Sequence, residues 1–300
     1  MGALFPLSFR KGGWGDRLVC NIPLNRAGVQ GRLRDPRLAE EEAFHDAWAR
    51  QIEVEAIDVD LAFHPAISPE THYALERLGD LKGRRVLDLG CGAGEASVCL
   101  ARRGARVWAA DLSGEMLRAA GRLAERYGVR GRVRLVKVNA EAMGFPSGAF
   151  DAVYGFGVLH HLDLDAAAAE VARVLRPGGR AVFVEPLKYN PIINLYRWMS
   201  PDVHTRDEHP MSFEDFERVG RRFREAGHRE FQLFALLIHV YFFAILKLDP
   251  RTERYWKRAV QDGRRFEGWF RAIRWADRAL LRCVPPLRRM SWASVVELVK

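Results

Sequence analysis

The stretch Val86-Leu87-Asp88-Leu89-Gly90-Cys91-Gly92-Ala93-Gly94 constrains this chain more than any other part of it. Three glycines at spacing two follow a short apolar run and precede a helix-forming one. Without Cβ atoms the backbone can turn sharply there, and a ligand can approach it closely. The flanking sequence agrees with a strand–turn–helix unit. Strands are expected over residues 86–89, 107–110, 133–138, 152–154 and 181–185. Helices are expected over 95–103, 114–127 and 166–175, with a turn at Arg176-Pro177-Gly178-Gly179. Strands alternating with helices of this length imply right-handed βαβ units, hence an α/β fold with a parallel sheet covered on both faces.

The loop also restricts its ligand. A pyrophosphate loop wants Gly-x-Gly-x-x-Gly, whereas Gly90, Gly92 and Gly94 are followed here by Glu95, Ala96 and Ser97. Asp88 precedes the glycines by two residues. A carboxylate there repels a pyrophosphate and attracts a cation. A cofactor with a sulfonium and an ammonium group, S-adenosyl-L-methionine, fits better than a nicotinamide dinucleotide.

At these residues the chain resembles the class I (Rossmann-like) S-adenosylmethionine-dependent methyltransferases, in their UbiE-like branch. Four further stretches match that family in order. Asp111-Leu112-Ser113 ends the second strand, and Asn139-Ala140-Glu141-Ala142 follows the third. Phe150-Asp151-Ala152-Val153-Tyr154 leads to Val158-Leu159-His160-His161-Leu162, and Leu175-Arg176-Pro177-Gly178-Gly179 precedes the fifth strand. The likeness is close over residues 80–186 and loose over 212–227. It implies a Rossmann-like, seven-stranded methyltransferase sheet with helical lid insertions. It further implies cofactor contacts from Asp88, Gly90, Cys91, Gly92 and Gly94, with Asp111 on the ribose hydroxyls and Leu112 on adenine. Asn139 and Ala140 would meet the adenine edge, and Phe156 would complete the cofactor side. The family usually has Asp where this chain has Asn139; the amide carbonyl can still accept a hydrogen bond.

Three residues are candidates for catalysis. His160 could act as base or orienting group. Glu185 ends the fifth strand, at the carboxyl edge where open α/β sheets bind ligands. Tyr189 follows it closely. No metal is expected, because Cys20, Cys91, Cys99 and Cys283 are scattered without ligand spacing. They read as reduced thiols of a cytosolic protein.

Outside the sheet the chain is uneven. Residues 1–37 carry seven Lys/Arg against two Asp and read as a mobile basic arm. A helical cap is expected over 38–80: Phe44, Trp48 and Ile52 recur at spacing four, and Ser68-Pro69-Glu70 starts a second helix. The cofactor domain takes 81–232 and 291–300, with an insertion at 186–211, and contains a capped helix over 212–227 and a strand from Glu230 to Leu233. Residues 233–290 form a basic, aromatic lid. Its run 233–246 is nearly all apolar, too short to span a bilayer, and reads as a buried segment or a pocket wall. Residues 251–290 hold twelve Lys/Arg against four acids, interleaved with Tyr255, Trp256, Phe266, Trp269, Phe270 and Trp275. Such a face suits an anionic membrane surface. No nucleic-acid partner is expected, since the Asn/Asp-Pro-Pro-aromatic motif of base-amino methyltransferases is replaced by Tyr154-Gly155-Phe156-Gly157.

Together these features predict a methyltransferase for a small, largely apolar acceptor (isoprenoid, quinone, lipid or polyketide-like), attacking through oxygen or carbon rather than sulfur. It would be cytoplasmic and peripheral to the membrane. The rival readings are a non-catalytic S-adenosylmethionine-binding module and a nicotinamide-dependent oxidoreductase of similar fold.

Overall fold

The computed structural model describes residues 35–201, 204–205, 208–234 and 237–300. The expected basic arm lies almost wholly outside them. Its last residues already belong to helix α1, Pro36–Ala49, where the Asp35 carboxylate caps the N-terminus by accepting from the Arg37 N–H. That helix stops at Ala49, before Ile52, the last residue of the expected spacing; a single 3₁₀ turn, Val54–Ala56, and a short helix α2, Val59–Ala62, follow. Helix α3, Pro69–Leu78, begins where expected, but Ser68 does not cap it with its side chain: the hydroxyl donates to the Leu61 carbonyl.

Seven strands then form one sheet in the order β3-β2-β1-β4-β5-β7-β6. They are β1 Arg85–Leu89, β2 Arg106–Asp111, β3 Val133–Lys137, β4 Phe150–Phe156, β5 Leu175–Pro186, β6 Glu225–Phe231 and β7 Ala293–Val299. The first five are parallel; β7 runs antiparallel between β5 and β6. Continuous apolar runs such as Val86-Leu87 and Val182-Phe183-Val184 suit strands covered on both faces. Helices α4, Glu95–Arg102, α5, Gly114–Arg126, and α6, Leu164–Val174, supply the cover. Full burial of each large apolar side chain contributes about 1.5–3 kcal/mol. The expected Arg176–Gly179 turn survives as a bulge inside β5: pairing with β4 jumps from Phe150–Leu175 to Ala152–Arg180, and Gly178 takes a φ of +72°.

The helix expected over 212–227 is shorter. Helix α8, Phe213–Gly220, has the capping box of Ser212 and Asp215, but the chain from Glu225 pairs with β7 instead. Residues 225–231 lack apolar alternation because β6 is the edge strand and is exposed over its first five residues.

The segments flanking the sheet assemble over the carboxyl ends of the strands. These are α7, Pro191–Met199, α9, Leu237–Ala244, α10, Tyr255–Gln261, and α11, Gly263–Cys283. Tyr196 of α7 stacks on Tyr255 of α10 with centroids 4.9 Å apart, and Phe242 and Phe270 join them in one apolar cluster. The apolar run 233–246 is not uniformly buried. α9 buries Ile238, His239 and Phe242 and turns Leu237, Val240 and Phe243 outward.

Gly94 is where the loop meets this packing. Its φ is +93°, and an added Cβ would lie 2.8 Å from the backbone Cα of Ala120 in α5. Both the left-handed conformation and the overlap disfavour a side chain. Gly94→Ala is therefore expected to lower unfolding free energy by about 2–4 kcal/mol in urea titrations. A change within about 0.5 kcal/mol, the usual range for neutral surface substitutions, would contradict this packing.

Candidate active site at the carboxyl edge of the sheet

The glycine loop leaves β1 and is pinned to the end of β2: the Gly90 and Cys91 N–H groups both donate to the Ala110 carbonyl, at 2.8 and 3.0 Å. The Asp111 carboxylate holds the next turn. One oxygen accepts from the Gly92 N–H at 2.9 Å and the other from the Ser113 N–H at 2.8 Å. A Cβ at Gly90 would strike Val158, whereas one at Gly92 would meet nothing within 4 Å. Gly92 thus borders open space that a ligand can fill.

Three acids surround that space. Asp88 is buried and accepts from the Ser97 hydroxyl at 2.5 Å. Burial, with the nearby Glu95 and Asp111 charges, pushes its carboxyl up to about 7. Burial also raises Asp111, although His45 and the backbone N–H groups of Ser113, Gly92 and Leu112 oppose the rise. Burial lifts the Cys91 thiol well above the usual range, so it packs here as an unreactive thiol. A cluster of carboxyl groups at one end of the space fits a cationic ligand.

Helix α1 roofs this loop. Asp46 accepts from the Ser113 hydroxyl at 2.5 Å and from the Glu115 N–H at 3.2 Å. Asn139 and Ala140 lie beyond, in the loop after β3. The Asn139 carbonyl already accepts from the Glu141 N–H at 2.9 Å, which leaves it one lone pair for a ligand amino group.

Of the three catalytic candidates, the structure brings two together and separates the third. Glu185 is buried; one oxygen accepts from the Val158 and Leu159 N–H groups, at 3.0 and 2.8 Å, and the other meets His160 Nδ1 at 2.7 Å. His160 Nε2 lies 3.4 Å from Glu208. Burial alone would lower the His160 pKa, but the two carboxylates outweigh it and push it up to about 9. At neutral pH His160 is thus an imidazolium within an ion pair, not a free base. Tyr189 stands apart from the cavity: its hydroxyl donates to Glu214 and accepts from the Phe213 N–H, both at 3.0 Å, and its ring packs on Phe213.

Several polar residues of the site are absent from the sequence reading. Glu208 also binds Arg197 at 2.6 Å and His204 at 3.0 Å. Burial works against its ionisation, yet His160 and His204 hold it far below the usual carboxylate range. From α1, Glu41 lies 3.1 Å from His161 Nδ1 and 3.3 Å from His45 Nε2. Arg37 donates to the His161 carbonyl at 2.9 Å and to Glu141 at 2.6 Å. The signal was present: Arg37, Glu41 and His45 recur at spacing four, a polar stripe beside the aromatic one.

A single cavity of about 670 Å³ runs from the glycine loop to the flanking helices. Gly90, Gly92, Asp111, Leu112, Asn139 and Ala140 line one end. Phe156, Ile193, Tyr196, Ile238 and Phe270 line the other. Trp256 bridges the two, lying 6.2 Å from the Trp48 ring and 6.3 Å from Phe156. Phe242, by contrast, is wholly buried within the apolar cluster.

A family profile described as a methyltransferase domain matches residues 87–183. Demethylmenaquinone methyltransferase of Thermus thermophilus is 44% identical over 105 residues, which are 34% of this chain and 47% of that protein. A sterol 24-C-methyltransferase of Gibberella zeae is 31% identical over 149 residues, 49% of this chain and 36% of that protein. Geranyl diphosphate C-methyltransferase of Streptomyces coelicolor superposes with a TM-score of 0.52 at 16% identity, covering 77% of this chain and 75% of that one, a likeness of fold. Residues 87–183 thus match the methyltransferase-domain family, and over the sheet the chain is similar to ubiquinone/menaquinone C-methyltransferases of the UbiE kind. The chain spans between 36% and 47% of the length of these two curated relatives.

Within the matched residues Asp88 offers a pH signature. Its folded pKa, about 7, lies above the ordinary 3.8, so the folded state binds the extra proton between those values. The associated stability is present below the ordinary pKa and lost as pH rises through the folded one, by on the order of 4 kcal/mol at most. Unfolding free energy is expected to fall between pH 5 and pH 8, and Asp88→Asn should flatten that slope. Identical slopes in the two proteins would contradict the assignment.

Proposed function

We propose that this chain transfers a methyl group from S-adenosyl-L-methionine to a small, largely apolar acceptor. The observation that carries the reading is the single cavity that joins the glycine loop and Asp111 to an apolar wall. The cofactor supplies an electrophilic methyl on a sulfonium, so the protein's share is placement and exclusion of water. Gly90, Cys91, Gly92 and Gly94 provide an unobstructed backbone cradle, with the buried Asp88 carboxyl beneath it. Asp111 is assigned the ribose hydroxyls, Leu112 and Phe156 the apolar contacts, and Asn139 with Ala140 the adenine edge. His160 and Glu185 act as a charged pair that positions the 158–161 turn at the cavity wall.

The acceptor class follows from the wall opposite. Ile193, Ile238 and Phe270 favour an apolar body. Lys257 adds a polar end, its ammonium 4.5 Å from the Trp48 ring centroid; burial lowers its pKa. The relatives named as a sterol 24-C-methyltransferase and a ubiquinone/menaquinone C-methyltransferase support carbon as the methylated atom. Both rival readings are tested together. S-adenosylhomocysteine should bind in the micromolar range, Asp111→Asn should weaken it by about 1–3 kcal/mol, and labelled methyl should pass into a panel of isoprenoid quinones and phenols. Binding without transfer to any of them would favour the non-catalytic module, and tighter binding of a nicotinamide dinucleotide would favour the oxidoreductase.

We also propose that the helices over the cavity meet an anionic membrane surface. No helix among the described residues is long and apolar enough to cross a membrane. Trp198 and Trp275 are 79% and 77% exposed, and Leu237, Val240, Phe243 and Ile245 are exposed along α9 and its end. The segment 251–290 adds twelve Lys/Arg against four acids. Indole rings and basic side chains together suit headgroup depth, and an apolar acceptor would reach the cavity from there. In liposome flotation the chain should bind anionic vesicles at low salt and release at high salt. Failure to float with anionic vesicles at low salt would remove the membrane from the account.

A further inference from the structure

We propose that Glu41, His45 and His161 form a binding site for one divalent transition-metal ion, open on one side to the cavity. Glu41 and His45 stand one turn apart on α1, and His161 comes from the turn after β4. One Glu41 oxygen is 3.1 Å from His161 Nδ1, the other 3.3 Å from His45 Nε2, and one ligand atom from each residue lies within 4.8 Å of the others. An ion bound at about 2.0–2.2 Å from each donor holds tetrahedral neighbours about 3.4 Å apart, so the separations require only small side-chain adjustments. Two imidazole nitrogens and one carboxylate are the donor set of Zn²⁺, Fe²⁺ or Mn²⁺, whereas Mg²⁺ and Ca²⁺ favour oxygen alone.

The surroundings are built as metal sites are. Thr205 donates to Glu41 at 2.5 Å, and Arg37 holds the His161 carbonyl at 2.9 Å, so the ligands are oriented by outer partners. Glu41 and His161 are largely buried, while all three residues line the cavity. The remaining coordination position therefore faces the cavity, as in catalytic rather than structural sites. A neighbouring set, His160, His161 and Glu208, shares His161. There Glu208 already takes the Arg197 guanidinium at 2.6 Å, and that charge repels a second cation. The ion consequently belongs on the Glu41 side. His161 lies more than a hundred residues from Glu41 and His45, so the spacing of that pair alone does not announce the site. The site stands independently of methyl transfer; only its use, ligating an acceptor oxygen, rests on the function proposed above.

The test is calorimetric titration of the tag-free full chain with Zn²⁺ alone, with Co²⁺ absorption to identify the donors. One Zn²⁺ per chain is expected, weakened at least about tenfold in both Glu41→Gln and His161→Asn. Zn²⁺ should raise the melting temperature of the parent chain and not of the two variants, each first shown to be folded by circular dichroism. Leu112→Ala, at a cavity residue assigned to adenine whose side chain forms no hydrogen bond to α1, should keep the metal while weakening S-adenosylhomocysteine, which separates this site from the cofactor reading. Sub-stoichiometric binding, a cobalt–thiolate band, or equal Zn²⁺ affinity in the parent and both variants would overturn the proposal.

Discussion

Two backbone N–H groups, from Gly92 and Ser113, converge on the carboxylate of Asp111, and the rest of the site depends on that convergence. It ties the loop leaving β1 to the end of β2 and holds the glycine turn open. Ser113 then caps α5 through its hydroxyl and also donates to Asp46, which places α1 as a roof. The chain of contacts runs from one carboxylate to a loop, a helix start and a covering helix. Each link is a short polar bond in a partly buried setting, where an unmet partner costs about 1–3 kcal/mol.

Charge distribution explains how one cavity can serve two ligands. At the loop end, Asp88, Glu95 and Asp111 leave the pocket negative and suited to a sulfonium and an ammonium group. At the far end the wall is apolar, with the Lys257 ammonium over the Trp48 ring. Between them lies the ionised cluster of His160, Glu185, Glu208 and Arg197. His160 and Glu185 bond to each other, and Glu185 also accepts from the Val158 and Leu159 N–H groups, which ties the 158–161 turn to the end of β5.

The sheet was largely legible in the sequence because its strands are buried on both faces. Runs such as Val86-Leu87 and Val182-Phe183-Val184 can hardly be anything else beside Gly-rich turns. What escaped was polar or at an edge. β6, Glu225–Phe231, has no apolar alternation, since only its pairing with β7 defines it. The Glu41 and His45 face of α1 was masked by the aromatic spacing of Phe44, Trp48 and Ile52, although Glu41 is among the most buried residues of that helix. Tyr189 was placed in the site by its position after β5, but Glu214 and Phe213 draw it away. Of the candidate site, the residues within the five motifs were readable; those contributed by the helices over the cavity needed the tertiary arrangement, because their partners are far away in sequence.

The central claim is that the space beside Gly92 and Asp111 receives an adenosyl cofactor while the apolar end stays open for an acceptor. A crystal structure of the chain bound to S-adenosylhomocysteine tests it most directly. The account predicts the ribose on Asp111, adenine beside Leu112 and Asn139, and the sulfur pointing toward Phe156 and the apolar wall. Density for the ligand anywhere other than this edge, or a ribose without contact to Asp111, would contradict it.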